Sequence, residues 1–179
     1  MPMQDAAHWT PVRTGRVLLR RPEPADESAA VRLHLDPRTN VHDPSPGPVT
    51  TAQAARTFHV ISQHWHSFGF GVWVAALPAE PAGLIGFAGV SHRVVRGRPA
   101  LNLYYRFHPD VQGRGLATEA ASAAVRLARE HLPGLPVVAY TTPENQASQR
   151  TALSAGLERR PELDVEHHGR TDVYLAADW

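Results

Sequence analysis

The sequence predicts a single domain of mixed α/β class, in which helices pack against a mostly antiparallel central sheet. The chain has 179 residues, and its 42% hydrophobic content is enough to form one core. Strand-like and helix-like periodicities alternate along it, giving about six or seven strands and about four helices. One strand–helix–strand succession in the middle of the chain predicts a single parallel crossover within the sheet.

The amino-terminal part is predicted to contain one strand and two helices. Residues 16–21 are apolar and β-prone, and residues 25–35 repeat apolar side chains at helical spacing. Residues 36–50 are rich in proline and turn residues, so they form a loop that can act as a lid or pocket wall. Thr50 or Thr51 then caps the second helix.

The carboxy-terminal part is dominated by strands, because β-prone runs alternate there with short turns. Its apolar run 137–142 indicates a central strand buried on both faces. We expect strands at 71–77, 84–92 and 100–107 in an antiparallel meander, a helix at 116–132, a strand at 137–142, a helix at 145–155 and a closing hairpin formed by 158–163 and 172–179.

Composition excludes several kinds of chemistry. The chain has no cysteine, and its 18 basic residues are all arginine, so cysteine nucleophiles and lysine Schiff bases are excluded. The 11 histidines form no HxxxH or HExxH pattern, and we expect no metal site. A net charge of +1 without a basic stripe argues against nucleic-acid binding. No segment has the pattern of a membrane span or a secretory signal, so we expect a cytoplasmic protein without a membrane partner.

The stretch VQGRGLATEA, residues 111–120, is the strongest candidate for a binding site. Gly113 and Gly115 precede a helix, where backbone amides and the helix dipole attract anions, and Arg114 adds a positive charge. The two glycines alone are equally compatible with an ordinary helix start. The stretch is neither a GxGxxG nucleotide motif, because Thr118 stands at the third position, nor a P-loop, because lysine is absent.

Together with the strand before it and the helix after it, this stretch resembles the acetyl-CoA motif of the GNAT N-acetyltransferases, [R/Q]xxGx[G/A]. The opening TGRVLLR at residues 14–20 is similar to the family's TxRLxLR. Asn145, Ser148 and Gly156 match its NxxSxxxxxxxG pattern, with Leu157 in place of the usual aromatic residue. The resemblance covers about residues 14–177 and is closest to the branch of ribosomal-protein N-terminal acetyltransferases.

The resemblance implies a GNAT fold with acetyl-CoA as co-substrate and no metal. In that family two strands splay apart, and the pantetheine arm of the cofactor lies in the gap; here these strands are 101–107 and 137–142. Asn145 either bonds the arm or simply caps the following helix. By similarity, the cofactor contacts are Tyr105, Arg106, Phe107, Gln112, Gly113, Arg114, Gly115, Leu116, Ala117, Thr118, Asn145 and Ser148.

The resemblance further implies that an acceptor amine attacks the thioester directly. Ala152 stands where many family members have the tyrosine that protonates the leaving thiolate, so Ser148 or water takes that role. His92, His108 and Glu80 are candidate general bases. The alternative is a sensor that binds acyl-CoA without turnover, because the tyrosine and an obvious base are missing.

The acceptor is expected between loop 36–50 and the closing hairpin near 160–171. Either an amine-bearing small molecule or a protein amino terminus fits, because the loops carry no signature that decides between them. Asp36 and Asp43 are able to attract a cationic amine, or are solvated loop residues. Homodimers are common in the family the chain resembles, and the final hairpin offers an interface for one.

Overall fold

The computed structural model describes residues 5–42, 48–167 and 169–179, and it confirms the mixed α/β architecture. Four α-helices occur in these ranges: α1 (Glu27–Leu35), α2 (Thr51–Phe68), α3 (Leu116–His131) and α4 (Gln146–Ser154). The strands are β1 (Val12–Arg13), β2 (Leu18–Arg20), β3 (Val72–Ala76), β4 (Gly86–Val95), β5 (Arg98–Phe107), β6 (Val137–Thr141), β7 (Glu158–Arg159), β8 (Val165–His167) and β9 (Arg170–Ala177).

These nine strands of the described residues form one mixed sheet, in the order β1-β2-β3-β4-β5-β6-β9-β7, with β8 paired to β9 beside this path. All neighbours are antiparallel except β5 and β6, which are parallel and joined by α3, as the crossover predicted. The count exceeds the predicted six or seven because β1 and β8, of two and three residues, were not predicted. So short a segment carries no recognisable alternation of polar and apolar residues.

The meander β3-β4-β5 is confirmed, but its last hairpin is longer than predicted. Its strands continue to a two-residue turn at Arg96 and Gly97, which have φ values of 51° and 77°. Positive φ at both central residues is typical of the type I′ turn that closes two-residue hairpins.

The closing segment differs from the single hairpin predicted. The hairpin is formed by β8 and β9, with Val165 opposite Asp172. The predicted first strand is divided: its start, β7, pairs with the far end of β9, and Pro161–Leu163 form a short 3-10 helix. Proline at the first position of this turn lacks the amide hydrogen that a continued ladder requires.

The helices begin and end where their terminal residues predict. Thr50 caps α2, its hydroxyl accepting from the amide of Gln53 while the Gln53 side chain accepts from the amide of Thr50. Gly69 ends α2 in the left-handed conformation with φ 75°. In α3 the residues packed on the sheet are mostly alanines, which let the helix approach closely. The described part of the chain has no helix long and apolar enough to cross a membrane.

Side chains of β5 alternate between the two faces of the sheet, and this alternation positions the site. Leu101, Leu103 and Phe107 are buried on the face that packs against α3. Asn102, Tyr104 and Arg106 lie on the opposite face, together with Phe87 of β4, whose ring is 5.5 Å from the ring of His34 in α1. We call this opposite face the α1 face. Its far end is covered by a small cluster of Val95, Ala100, Val138, Leu163, Tyr174 and Ala176.

Candidate active site

A gap opens in the sheet where β5 and β6 separate. The two strands pair only at Leu101 with Val137 and at Asn102 with Val138. Beyond this point, residues 103–107 of β5 have no strand partner on that side within the described residues. A strand edge of this kind presents unpaired amide and carbonyl groups to whatever enters the gap. The splay predicted by the family resemblance is therefore present.

A cleft with a volume of about 810 Å³ runs through this gap. The carboxy-terminal halves of β5 and β6 line its centre, and its two ends lie on opposite sides of the sheet. One end is bordered by residues from α3 and α4, and the other by the segment that follows α1. The predicted cofactor residues among its lining are Tyr105, Arg106, Phe107, Gln112, Gly113, Gly115, Leu116, Ala117, Thr118, Asn145 and Ser148.

The glycine loop forms one mouth of the cleft. Gly113 and Gly115 have φ values of 72° and 75°, a conformation that side chains with a Cβ rarely adopt. Gly115 precedes α3 without a side-chain cap, so among the described residues no side chain occupies the amides of the first turn. Gln112 donates from Nε2 to the carbonyl of Phe107 at 2.9 Å, which ties the loop to the end of β5. Such a turn is suited to hold a diphosphate.

Arg114 is the one predicted cofactor residue that does not line the cleft. It is exposed, and its carbonyl accepts from Arg16 Nη1 at 2.7 Å. The predicted role of Arg114 is an ionic contact between its side chain and a phosphate. The contact that the structure shows is made by its backbone carbonyl, which binds Arg16 in the turn between β1 and β2.

Arg16 joins the loop to the first turn of α3, a role that the sequence did not reveal. Its Nε donates to Glu119 Oε2 at 2.7 Å, and its amide donates to Glu119 Oε1 at 2.7 Å. The Thr14 hydroxyl donates to the same carboxylate. These bonds, together with the charge of Arg16, hold the pKa of Glu119 below its usual value against the opposing effect of burial. Arg16 and Thr14 both belong to the TxRLxLR match, which was the available signal.

The α4 wall of the cleft carries Asn145 and Ser148. Asn145 caps α4, its Oδ1 accepting from the amide of Ser148 at 3.1 Å, so the capping interpretation holds. Tyr105 donates from its hydroxyl to the carbonyl of Ser148 at 2.8 Å, and its oxygen is 3.1 Å from Ser148 Oγ. Since tyrosine has one hydroxyl hydrogen, Ser148 Oγ donates to Tyr105 in this arrangement. Burial raises the pKa of Tyr105 to about 12, so the phenol stays protonated at neutral pH.

His92, predicted as a candidate general base, is not among the residues that line the cleft. Its Nδ1 is 3.3 Å from His64 Nε2, and its ring packs against Phe68 and Phe70. His64 Nδ1 lies 2.8 Å from the carbonyl of Phe70 and must be the donor there, so Nε2 accepts from the amide of His92. Burial lowers the pKa of both histidines and keeps them neutral. His64 therefore satisfies the backbone amide of β4 at His92, and both rings lie in an aromatic cluster with Phe68.

His108 and Glu80 also lie away from the cleft. His108 precedes the short helix Pro109–Val111, and its Nδ1 is 3.3 Å from Asp110 Oδ2. Its position directly after β5 turns the ring toward that helix and not toward the gap. Glu80 is exposed in the connection between β3 and β4. Of the predicted catalytic side chains, the structure brings only Ser148 to the cleft.

The α1 face supplies the other mouth of the cleft, where an acceptor was expected. Arg38, Thr39, Val41 and His42, which follow α1, line it, so loop 36–50 contributes a wall as predicted. Asp43 lies outside the described residues. Asp36 instead binds Arg38, with Nη2 to Oδ2 at 2.7 Å, which lowers the pKa of the carboxyl. From the closing hairpin it is Asp172 of β9 that reaches the lining, and none of the described residues among 160–171 does.

A splayed parallel pair, with a glycine loop that opens a helix at its mouth, defines the class of transferases that draw an acyl group from a CoA thioester. The profile of the acetyltransferase (GNAT) domain matches residues 16–158, and the chain belongs to this family. That membership makes it an acetyl-CoA-dependent N-acetyltransferase by class.

Solved structures agree with this assignment. An acetyltransferase from Agrobacterium tumefaciens superposes with a TM-score of 0.77 at 27% identity, covering 94% of both chains. The ribosomal L7/L12 α-N-protein acetyltransferase RimL, in complex with CoA, matches at 0.70 and 14% identity over 93% of this chain and 96% of its own. A spermidine N-acetyltransferase from Vibrio cholerae, in complex with CoA and spermine, matches at 0.69 and 14% over 92% and 96%.

Proposed function

We propose that the protein transfers the acetyl group of acetyl-CoA to a primary amine, which attacks the thioester directly while both substrates are bound. The observation that carries this proposal is the gap between β5 and β6, open to both sides of the sheet. A donor entering from the side of α3 and an acceptor entering from the α1 face meet at the unpaired edge of β5. Binding both reactants in one cleft orients them and makes the reaction between them effectively unimolecular.

The donor is held by backbone groups more than by side chains. The diphosphate lies on the amides of residues 112–118, and the pantetheine arm follows the edge of residues 105–107. Amide hydrogens on that edge polarise the thioester carbonyl and stabilise the oxyanion that forms on attack. Asn145 orders the start of α4, and Ser148 protonates the leaving thiolate. Rotation about its Cβ–Oγ bond suffices to turn the Ser148 hydrogen from Tyr105 toward a sulfur in the cleft.

The acceptor end of the cleft suits an amine. Asn102 lines this end of the cleft, and its Oδ1 is buried without a hydrogen-bond partner in the described ranges; a rotation of the side chain would present that oxygen to an amine N–H. Asp172 adds a negative charge to the same lining, while Arg38 and Arg106 are positive. RimL acts on a protein amino terminus and the Vibrio cholerae relative on spermidine, and both kinds of acceptor stay open here. The need for acetyl-CoA favours a cytoplasmic location, and a homodimer stays a prediction.

Binding and turnover are tested separately. Millimolar acetyl-CoA is expected to raise the melting temperature, since a ligand that binds only the native state stabilises it. Thiol release is then followed with a thiol reagent over spermidine, glycinamide and a short peptide with a free amino terminus. Release that depends on one of these amines supports transfer. Stabilisation without release from a wider amine panel indicates the sensor alternative, and an unchanged melting curve contradicts both.

Replacing Arg16 by glutamine is expected to raise the KM for acetyl-CoA about tenfold, equivalent to about 1.4 kcal/mol, and to leave kcat within about twofold. The change releases the carbonyl of Arg114 and leaves the Glu119 carboxylate unneutralised beside the diphosphate. Both effects weaken the grip on the donor without touching the reacting atoms.

The matched control for Arg16→Gln is Arg126→Gln. Arg126 makes an exposed ion pair with Glu130, which lies one turn further along α3, with Nη1 3.6 Å from Oε2. Initial rates over a range of acetyl-CoA concentrations separate the two constants. Equal KM values for the two variants would show that Arg16 has no part in positioning the loop.

A further inference from the structure

We propose that Tyr104 accepts a proton from the acceptor amine while passing its own hydroxyl proton to the buried His34. Tyr104 is then a catalytic residue, and His34 acts through it as the proton store. The inference rests on the proposed function, since it assigns the base for that same transfer. It fills the place left by His92 and His108, neither of which reaches the cleft.

The hydrogen bonds of His34 fix the direction of the relay. Its Nδ1 lies 2.8 Å from the carbonyl oxygen of Ala30, which can only accept, so Nδ1 carries a hydrogen. In the neutral ring Nε2 therefore carries a lone pair and no hydrogen. The Tyr104 hydroxyl is 3.2 Å from Nε2 and must donate to it. The ring is thus held as a proton acceptor toward Tyr104.

Tyr104 stands where the reaction is expected. It is two residues beyond the last β5–β6 pair at Asn102, so it lies at the start of the splay, and it lines the cleft. Its side chain is on the α1 face, the side from which the acceptor enters. Its hydroxyl oxygen retains lone-pair capacity while its hydrogen points at His34. Asn102 and Tyr104 lie on the same face of β5, so an amine bound at Asn102 has the Tyr104 hydroxyl beside it as a proton acceptor.

The helix end and the Ala30 carbonyl favour a transient positive charge on His34, whereas its apolar neighbours oppose a lasting one. The residue is 4% exposed and lies in the last turn of α1, where the helix dipole favours a cation, and the carbonyl of Ala30 bonds the imidazolium as well as the neutral ring. Phe87 covers the ring from β4, and α2 adds apolar side chains to the core beneath α1. Among the described residues of the cleft lining, the charged or titratable groups toward the α1 face are Arg38, His42, Arg106 and Asp172. Arg106 donates to Asn40 Oδ1.

The protons balance over one turnover. The bound ammonium gives one proton to Tyr104 Oη as Tyr104 gives its own to His34 Nε2, leaving a neutral amine and an imidazolium. The amine nitrogen forms a bond to the thioester carbonyl carbon, and the carbon–sulfur bond breaks. Ser148 gives its hydroxyl proton to the thiolate and recovers the second proton of that nitrogen, giving the amide and free CoA thiol. His34 returns its proton through Tyr104 to water in the cleft.

The first arm of the test measures amine-dependent thiol release by Tyr104→Phe and His34→Gln, with whichever of spermidine, glycinamide and the short peptide the wild type accepts. General base catalysis contributes about 10²–10⁴-fold, so we expect kcat to fall about 10²-fold in each variant and no further in the double variant. The KM for acetyl-CoA stays within about twofold, and the acid limb of the pH profile of kcat/KM disappears in His34→Gln. His59→Gln, an exposed histidine of α2, is the control.

The second arm is independent of the acceptor. Nitrogen-15 spectra of labelled histidine are expected to show His34 as the Nδ1–H tautomer, with an Nε2 resonance that moves in Tyr104→Phe. Tyr104→Phe removes only a hydroxyl, so it decides the matter even where His34→Gln is too unstable to assay. Retention of more than half of kcat in Tyr104→Phe, or an Nε2–H tautomer, overturns the relay. Absence of release by the wild type with every amine overturns the proposed function, and the relay with it.

Discussion

Replacing Gly115 by glutamate is expected to abolish the rise in melting temperature that acetyl-CoA gives the wild-type protein. The backbone at Gly115 has φ 75°, and a Cβ there would lie 3.3 Å from Arg16 Nη2. The carboxylate would also place a negative charge where the diphosphate binds. At a ligand concentration of about 100 Kd the lost stabilisation is about 2.7 kcal/mol. For a chain of this size that corresponds to about 5–10 °C, read by differential scanning fluorimetry.

Gly134→Glu separates strain from ligand binding. Gly134 follows α3 at its far end, has φ 89°, and has open space where its Cβ would be. A side chain in the left-handed conformation costs about 1–2 kcal/mol at either glycine, so both variants melt earlier without ligand. Only Gly115→Glu should lose the response to acetyl-CoA. A normal rise in melting temperature with acetyl-CoA in Gly115→Glu would show that the glycine loop does not bind the donor.

Replacing Ser148 by alanine is expected to lower kcat about 10²-fold and to leave the KM for acetyl-CoA within about twofold. The hydroxyl is the one predicted acid that the structure brings to the cleft, and protonation of a leaving group is worth about 10²–10⁴-fold. Tyr105→Phe is expected to have a smaller effect, because it removes only the partner that holds the Ser148 hydroxyl at 3.1 Å. Steady-state rates of thiol release at saturating amine measure both.

Ser62→Ala is the matched control, since the Ser62 hydroxyl bonds a helix carbonyl at 3.0 Å in α2, outside the cleft lining. A Ser148→Ala variant with a raised KM and an unchanged kcat would assign Ser148 to donor binding alone. Unchanged constants would leave the thiolate to take its proton from water.

Local patterns were enough to predict most of the fold. Thr50, Gly69 and Asn145 lie at helix ends for reasons contained in a few neighbouring residues, and α3 has the bounds that its alanine spacing indicates. The errors fall on strands of two or three residues, which are too short to show a periodicity. Two-residue β1 and β7 are strands only because β2 and β9 lie beside them, and β8 displaced the predicted first strand of the final hairpin.

The donor side of the candidate site was predictable for the same reason. Residues 112–118 are contiguous, and a glycine loop that opens a helix is a local device for binding anions. The proposed general base was not predictable, because the sequence offers 11 histidines and their position relative to the cleft depends on packing. His92 and His108 are near the right strand, yet one is sequestered by His64 and the other turns to Asp110. His34 appeared only as a polar member of an apolar helical face.

The sequence by itself indicated the family and, through it, the donor, since the glycine loop, the strand before it and the Asn145–Ser148 segment are each contiguous and follow one another in a recognisable order. Only the tertiary structure decided which side chains surround the reaction. Arg16 reaches Glu119 across more than a hundred residues, and Tyr104 reaches His34 across 70. Such contacts arise when strands and helices distant in the chain pack together, and no periodicity or spacing encodes them. The acceptor side of the cleft is assembled in this way, from α1, β5 and β9.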